Sequence, residues 1–285
     1  VIDLEKISIP AKSPNFFILG AAKSGTTSMY HYLRQHPEVF MSDVKEPSFF
    51  CETFQVIKDY DSYFRLFDKA AQQKVIGEAS HVYLTDPKSA GWLKQCFPEA
   101  RFLVCLRNPA ERAFSLYSDM RNHRWESEKT FQKALAMEDL RKESEHFKWN
   151  NPQYFHNFLY FHSGLYGEQL QRYLSLFDKS QFLIIRLEDL TKDFESTLSA
   201  VFRFLEVDPS FIPKQKVYNK TFNVRSLWLQ NLLVRMFPDT PIRQSLMKHT
   251  YYKKPSLDPS LKKELMQRYQ EDQKLLHSLC GIRYV

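Results

Sequence analysis

The sequence predicts an α/β fold, a parallel sheet flanked by helices with a phosphate-loop (P-loop) turn at the end of its first strand. Three observations predict it. Short apolar runs alternate with stretches of helical spacing. One of those runs, RFLVCLR at 101–107, is apolar throughout its interior, as a strand covered on both faces must be. The first run passes through a glycine-containing turn directly into a helix, the opening of an α/β unit.

The elements follow in order. FFILG, 16–20, reads as a strand ending in Gly. Residues 26–36 place Met29, Tyr30 and Leu33 at helical spacing, with Pro37 expected to end the helix. KVIGEAS, 74–80, is a second strand, and 87–96 a helix with Pro87 at its start. After the strand at 101–107 comes QFLIIRL, 181–187, and then a helix rich in Phe and Leu over 189–205. Residues 120–160 are more polar, with the charged run LRKESEHFKWNN, and read as helices and loops over the sheet. Residues 222–280 read as helical with Pro interruptions. There is no internal repeat and no low-complexity linker, so residues 1–285 are expected to form a single domain.

Composition narrows the function classes. Hydrophobic residues make up 43% and aromatics 15%, including 24 Phe and 15 Tyr, so the chain is not a disordered one. The aromatics imply a ring-rich core, or a groove for an apolar acceptor. The formal charge of +7 suits a nucleic acid, an anionic lipid or a phosphorylated small molecule. No basic run or arginine-rich tail stands out, so nucleic acid is not an expected partner. Cys51, Cys96, Cys105 and Cys280 show no metal-ligand spacing, and Cys105 sits in an apolar run as a buried thiol would. No stretch is long enough for a membrane span, and VIDLEKISIP lacks the form of a signal peptide. The missing initiating Met suggests a domain excised from a longer, multidomain chain. The expected location is the cytoplasm, or the Golgi lumen if a membrane anchor lies upstream.

The sharpest motif is GAAKSGTT, 20–27. Successive N–H groups in such a turn converge on an anion, and the helix that follows adds its dipole and unpaired donors. Gly20 and Gly25 permit the turn, Lys23 brings a cation, Ser24 lies inside the loop, and Thr26 and Thr27 carry hydroxyls. The pattern is not a Walker A loop, which needs Lys directly after the second Gly. Here Thr26 occupies that place, which weakens a kinase or NTPase reading. A plain Gly-rich turn with a solvated Lys is the bland alternative.

A second motif, LVCLRNPAERAFSLY, spans 103–117. Arg107 ends the buried strand, Pro109 opens a helix and Ser115 lies two turns along it. An Arg in that place can grip a phosphate by a charged fork. The bland alternative is an Arg107–Glu111 salt bridge with Ser115 facing solvent.

The segment PNFFILGAAKSGTTSMYHYLRQHP, taken with this second motif, resembles the donor site of sulfotransferases that use 3'-phosphoadenosine-5'-phosphosulfate (PAPS). The resemblance runs from residue 16 to about 220. It is closest to the carbohydrate type, including heparan sulfate enzymes. It is similar also to sulfotransferase domains of cyanobacterial polyketide and olefin synthases. It implies the sulfotransferase type of α/β fold, with PAPS as donor and adenosine 3',5'-bisphosphate as product, and no required metal. Arg107 and Ser115 would hold the 3'-phosphate. SGLYGEQLQRYL, 163–174, matches a further family helix and makes Ser163 and Tyr166 donor-site candidates, against the alternative of a helix cap and a core Tyr. YNKTFNVRS, 218–226, resembles the late loop over the donor and would bring Lys220 to the 3'-phosphate.

Sulfuryl transfer needs a base, positive charge at the leaving phosphate, and an in-line arrangement. Lys23 is the expected cation at the leaving group and Lys45, in DVKEPSFF, the second, with Glu46 positioning it. Glu78 lies at the carboxyl end of its strand, where open α/β sheets place ligands, and matches the family's base. A structural ion pair with a nearby Lys is its bland alternative. His81 is the rival: its ordinary pKa suits base chemistry, and the cytosolic sulfotransferases use a His. The carbohydrate-type pattern has Pro at that place, so the choice between Glu78 and His81 stays open.

The acceptor is a hydroxyl. The β-hydroxyl of an acyl chain tethered to a carrier protein, beside neighbouring synthase domains, is preferred, with a carbohydrate hydroxyl as the alternative. A nucleotide-dependent kinase and a non-enzymatic anion-binding module are the competing classes.

Overall fold

Five parallel strands pair in the order β2–β3–β1–β4–β5: β1 is Phe16–Gly20, β2 Val39–Met41, β3 Val75–Ala79, β4 Arg101–Leu106 and β5 Phe182–Arg186. The computed structural model describes residues 9–216, 223–224, 251–252 and 256–284.

The sheet is central because its strands are apolar on both faces. Phe17, Leu19, Phe102, Val104 and Leu106 pack on one side against Tyr83, Leu170 and Tyr173. Phe16, Ile18, Leu103 and Cys105 pack on the other against Met29, Leu33, Val201 and Phe202. Alternate residues of β1 and β4 thus serve opposite layers, as the period of a strand requires. Each fully buried side chain of this size contributes about 1.5–3 kcal/mol. β1 lies between β3 and β4, so the carboxyl ends of these three strands open onto one crevice.

Four of the five strands lie where the sequence places them. β2 does not appear in the sequence reading, because three residues carry no readable period. The first helix is Thr26–Leu33 and ends at Arg34, ahead of Pro37. The helix expected from Pro87 is Ser89–Cys96. Asp86 starts it instead, accepting from the N–H groups of Lys88 at 2.9 Å and Ser89 at 3.0 Å. The helix expected over 189–205 is two, Leu187–Lys192 and Phe194–Phe204, because Asp193 caps the second by accepting from Ser196 N at 3.2 Å.

Residues 120–160 form the expected short helices over the sheet, Phe131–Ala136, Glu138–Glu143 and Glu145–Trp149. A buried ion pair ties them down: Arg141 donates twice to the Glu126 carboxylate, at 2.8 Å each, and Tyr160 OH donates to it at 2.6 Å. Breaking such a pair by removing one partner costs about 3–5 kcal/mol. Within 222–280, read from sequence as helical, Pro259–Arg268 and Gln270–Cys280 are helices, whereas Asn223–Val224 pairs antiparallel with Tyr251–Tyr252, and 225–250 and 253–255 lie outside the described residues. All four cysteines are free, and burial pushes the Cys105 thiol up to about 12. Among the described residues no helix is long and apolar enough to cross a membrane.

Candidate active site

The turn after β1 is built for close approach. Gly20 has φ 139° and Gly25 φ 89°, in the region that favours glycine. A Cβ on Gly20 would lie 2.8 Å from the His81 carbonyl oxygen, and one on Gly25 would lie 2.9 Å from Leu187. Ala21 N donates to Cys105 O at 2.7 Å, which fixes the turn to β4. The helix from Thr26 has no side-chain cap, and its first internal bond runs from Met29 N to Gly25 O at 3.0 Å. The N–H groups of Thr26, Thr27 and Ser28 at the helix start therefore lack an intrahelical acceptor and can meet an anion. Ser24 Oγ is buried without a hydrogen-bond partner. These features fit a phosphate group.

A cavity of about 820 Å³ opens at this end of the sheet. Its volume is near the top of the range for ligand sites, about 300–1,000 Å³. Lys23, Gly25, Thr26, Thr27, Lys45, His81, Arg107 and Ser115 all line it, so most of the sequence candidates converge on one space. Glu78, Ser24, Ser163 and Tyr166 are outside that lining, and Lys220 lies outside the described residues.

Each cation has an anionic neighbour. Lys23 Nζ sits 3.0 Å from Asp119 Oδ1, on the helix Pro109–Asn122. Lys45 pairs with Glu46 Oε1. Arg107 donates through Nη2 to Glu111 Oε2 at 3.2 Å, the salt bridge anticipated as the bland alternative. Glu111 also accepts from Lys262 at 2.7 Å, and the Lys262 hydrogen bond leads the interactions that hold its carboxyl below the usual range. Arg107 nonetheless lines the cavity, as does Ser115.

Ser163 and Tyr166, donor-site candidates in the sequence against the alternative of a helix cap and a core Tyr, are both buried and lie outside the cavity lining. Tyr166 OH donates to Arg107 O at 3.0 Å and steadies the strand end. Ser163 Oγ donates to Leu159 O at 2.6 Å and accepts from the buried Arg112 at 3.0 Å. Both support the wall behind the cavity.

The two base candidates separate clearly. Glu78 is fully buried. Its carboxylate accepts from Tyr63 OH at 2.7 Å, Tyr83 OH at 2.9 Å and Ser80 Oγ at 2.7 Å. It accepts from three hydroxyls and lies outside the cavity lining, so of the two base candidates left open by the sequence only His81 lines the cavity. Glu78 instead organises the neighbouring loop. Ser80 Oγ, held by Glu78, accepts from Ser48 N at 3.0 Å, and Tyr83 OH accepts from Phe50 N at 3.3 Å. Burial raises the Glu78 carboxyl to about 7, against the three hydrogen bonds that favour its charge.

That shift has a stability consequence. Between pH 4.5, the ordinary value, and about 7, the folded chain keeps a proton that the unfolded chain releases. The Glu78 contribution is complete below pH 4.5 and is lost as the pH rises through 7. Glu78→Gln is expected to remove this fall, and thermal unfolding of both proteins from about pH 5 to 8 checks it. Parallel melting curves would contradict the assignment.

His81 opens the short helix Val82–Thr85 and lines the cavity. Its Nδ1 is 2.6 Å from Glu46 Oε2 and its Nε2 is 3.4 Å from Asn157 Nδ2. A carboxylate only accepts, so Nδ1 of the neutral ring carries the hydrogen and Nε2 keeps its lone pair. Burial opposes the charge on Glu46, but His81 and Lys45 outweigh it and hold the carboxyl far below its usual range. Glu46 has φ 65° and Ser48 φ 52°, left-handed conformations that cost about 1–3 kcal/mol each. Glu46 N donates to Ala79 O at 2.9 Å, which sets this strained loop against β3. The pairing of Glu46 with His81, as distinct from Lys45, is invisible in sequence because 35 positions separate the two. The far wall adds Asp119, His123, Trp125, Gln153 and Asn157, which no motif announces. Among the described residues no cluster of His, Cys, Asp or Glu could hold a metal ion.

A family model described as "Sulfotransferase domain" matches residues 13–277. Carbohydrate sulfotransferase 15 of Homo sapiens is 30% identical over 295 residues, covering 84% of this chain and 51% of that protein. Bifunctional heparan sulfate N-deacetylase/N-sulfotransferase 4 of Mus musculus is 24% identical over 208 residues, covering 70% of this chain and 23% of that protein. A crystal structure of a sulfotransferase from Alicyclobacillus acidocaldarius superposes with a TM-score of 0.73 at 29% identity, covering 96% of this chain and 97% of that one. The chain spans about half the length of the carbohydrate sulfotransferase 15 relatives it matches, 51% for the human protein and 44% for the rat.

Proposed function

Because the chain belongs to the sulfotransferase domain family, enzymes that draw their sulfuryl group from PAPS, we propose that it sulfates a carbohydrate hydroxyl with His81 as the base. The observation that carries this reading is the convergence on one cavity of the phosphate loop at 20–27, the Arg107–Ser115 pair and the His81–Glu46 dyad. The carrier-tethered acyl chain preferred from sequence gives way to the sugar, because the curated relative that covers 84% of this chain is named for carbohydrate.

The division of labour follows from chemistry. PAPS supplies the sulfuryl group when bound, and the residues around it bind, orient and move a proton. The loop N–H groups and the Thr26 and Thr27 hydroxyls hold the 5'-phosphate end. Arg107 and Ser115 hold the 3'-phosphate, which distinguishes this donor from ATP. His81 Nε2 takes the proton of the acceptor hydroxyl as that oxygen bonds to sulfur. Glu46, kept ionised, holds the Nδ1 hydrogen and stabilises the imidazolium that results. Lys23 offsets the negative charge gathering on the departing phosphate oxygen as the S–O bond breaks.

Isothermal calorimetry tests the donor assignment. Adenosine 3',5'-bisphosphate is expected to bind tightly without metal, and ATP with Mg²⁺ weakly. Arg107→Ala is expected to weaken PAPS by about 10- to 100-fold, as loss of a charged hydrogen-bonding fork does, and adenosine 5'-phosphosulfate little. Equal weakening of both ligands would remove Arg107 from the 3'-phosphate.

A further inference from the structure

The wall of the cavity contributed by residues 119–125 bears no phosphate-binding feature, and its chemistry is of another kind. The helix Pro109–Asn122 ends at His123, whose ring Nδ1 bonds Asp119 O at 2.9 Å. The chain then turns through Arg124, at φ 63°, and brings the Trp125 indole parallel to the His123 ring, with centroids 4.6 Å apart and planes 14° from parallel. Both rings line the cavity, as do Gln153 and Asn157.

This stack is fixed from behind. Trp125 N donates to Met120 O at 2.9 Å. The next residue is Glu126, clamped by Arg141 and Tyr160 and wholly buried. Arg121 donates to Glu126 O at 2.7 Å, and Tyr117 OH donates to Glu128 O at 3.1 Å. With His123 exposed and Trp125 half-buried, an aromatic pair on a turn this firmly anchored is a preorganised surface, which loses little freedom when it is covered. The amides complete it. Asn157 reaches His81 Nε2. Gln153 Oε1 accepts from Tyr154 N at 2.7 Å, which leaves its Nε2 to donate.

We propose that the His123–Trp125 stack, with Gln153 and Asn157, is the acceptor subsite and takes a pyranose ring of a glycan. A pyranose presents a C–H face beside a rim of hydroxyls. The indole suits the face, and amides, which both donate and accept, suit the hydroxyls. Asn157 is the link to chemistry, because a hydroxyl beside it is also beside the His81 nitrogen. The proposal rests on the carbohydrate reading above and adds where the sugar lies and what selects it.

The test uses the whole chain with adenosine 3',5'-bisphosphate bound. Saturation-transfer NMR is recorded with a panel of probes: cellotetraose, chitotetraose, desulfated chondroitin tetrasaccharide and p-nitrophenol. Tetrasaccharide binding is expected in the unmodified protein and a loss of about tenfold or more in Trp125→Ala, the scale for truncating an aromatic anchor. Trp125→Phe should recover part of it, and all three proteins should bind the bisphosphate alike, which shows that the variants fold. Transfer from PAPS is measured in parallel and should show the loss in KM for the sugar, with kcat changed less. Unchanged tetrasaccharide binding in Trp125→Ala, or no binding of any tetrasaccharide by the unmodified protein, overturns the subsite. Retention of p-nitrophenol alone would assign the stack to aromatic acceptors and overturn it too. Trp125-dependent sugar binding without sulfation would leave the subsite standing and sink the catalytic reading.

Discussion

His81→Ala is expected to slow transfer by about 10²- to 10⁴-fold, the range for removal of an acid–base group, while leaving bisphosphate affinity and folding intact. His81 faces the cavity, and Glu46 at 2.6 Å and Asn157 at 3.4 Å orient its two nitrogens. Glu46→Gln should show a smaller loss, because the amide still contacts Nδ1 but no longer balances the imidazolium. Glu78→Gln should keep most of the transfer activity, since its carboxylate is enclosed by Tyr63, Ser80 and Tyr83. Single-turnover transfer at saturating PAPS separates these variants. A severe loss in Glu78→Gln with near-normal His81→Ala would return the base to Glu78.

Lys23→Ala is the second large effect, an expected fall in kcat of about 10²- to 10³-fold, the scale for removing one preorganised charge-stabilising group. Lys23 stands in a left-handed conformation inside the turn, φ 63°, and its ammonium group lines the cavity beside Asp119, 3.0 Å away. Saturating donor should not restore the rate, because the missing interaction belongs to the departing phosphate and not only to binding. Lys23→Arg should rescue it poorly, since a planar fork replaces a compact charge. Complete recovery of kcat at high PAPS would confine Lys23 to donor affinity.

The framework of this protein was legible in its sequence because β1, β3, β4 and β5 are apolar runs bounded by turn signals, and because the loop at 20–27 joins a strand to a helix. Helix ends were less legible. Asp193 sets one through a side-chain cap, and Asp86 accepts from the N–H groups of Lys88 and Ser89 where another begins, while Pro37 and Pro87, the louder signals, did not mark the ends. The cavity lining was legible where a residue belongs to a local motif, as Lys23, Arg107 and Ser115 do. It was not legible where function depends on which way a strand-end side chain points. Glu78 and His81 are three positions apart, yet one side chain lies in the core and the other at the cavity. Tyr63, which receives no mention in any motif, decides this by donating to Glu78 from 15 positions away. Trp125 was equally silent, since its placement depends on the distant pair of Glu126 and Arg141.

The most direct measurement supplies radiolabelled PAPS to the protein with oligosaccharides and an acyl-carrier thioester bearing a β-hydroxyl, present together in one competition. The account predicts label on an oligosaccharide, dependent on His81. Label on the acyl thioester alone, or release of the label only as free sulfate, would contradict it.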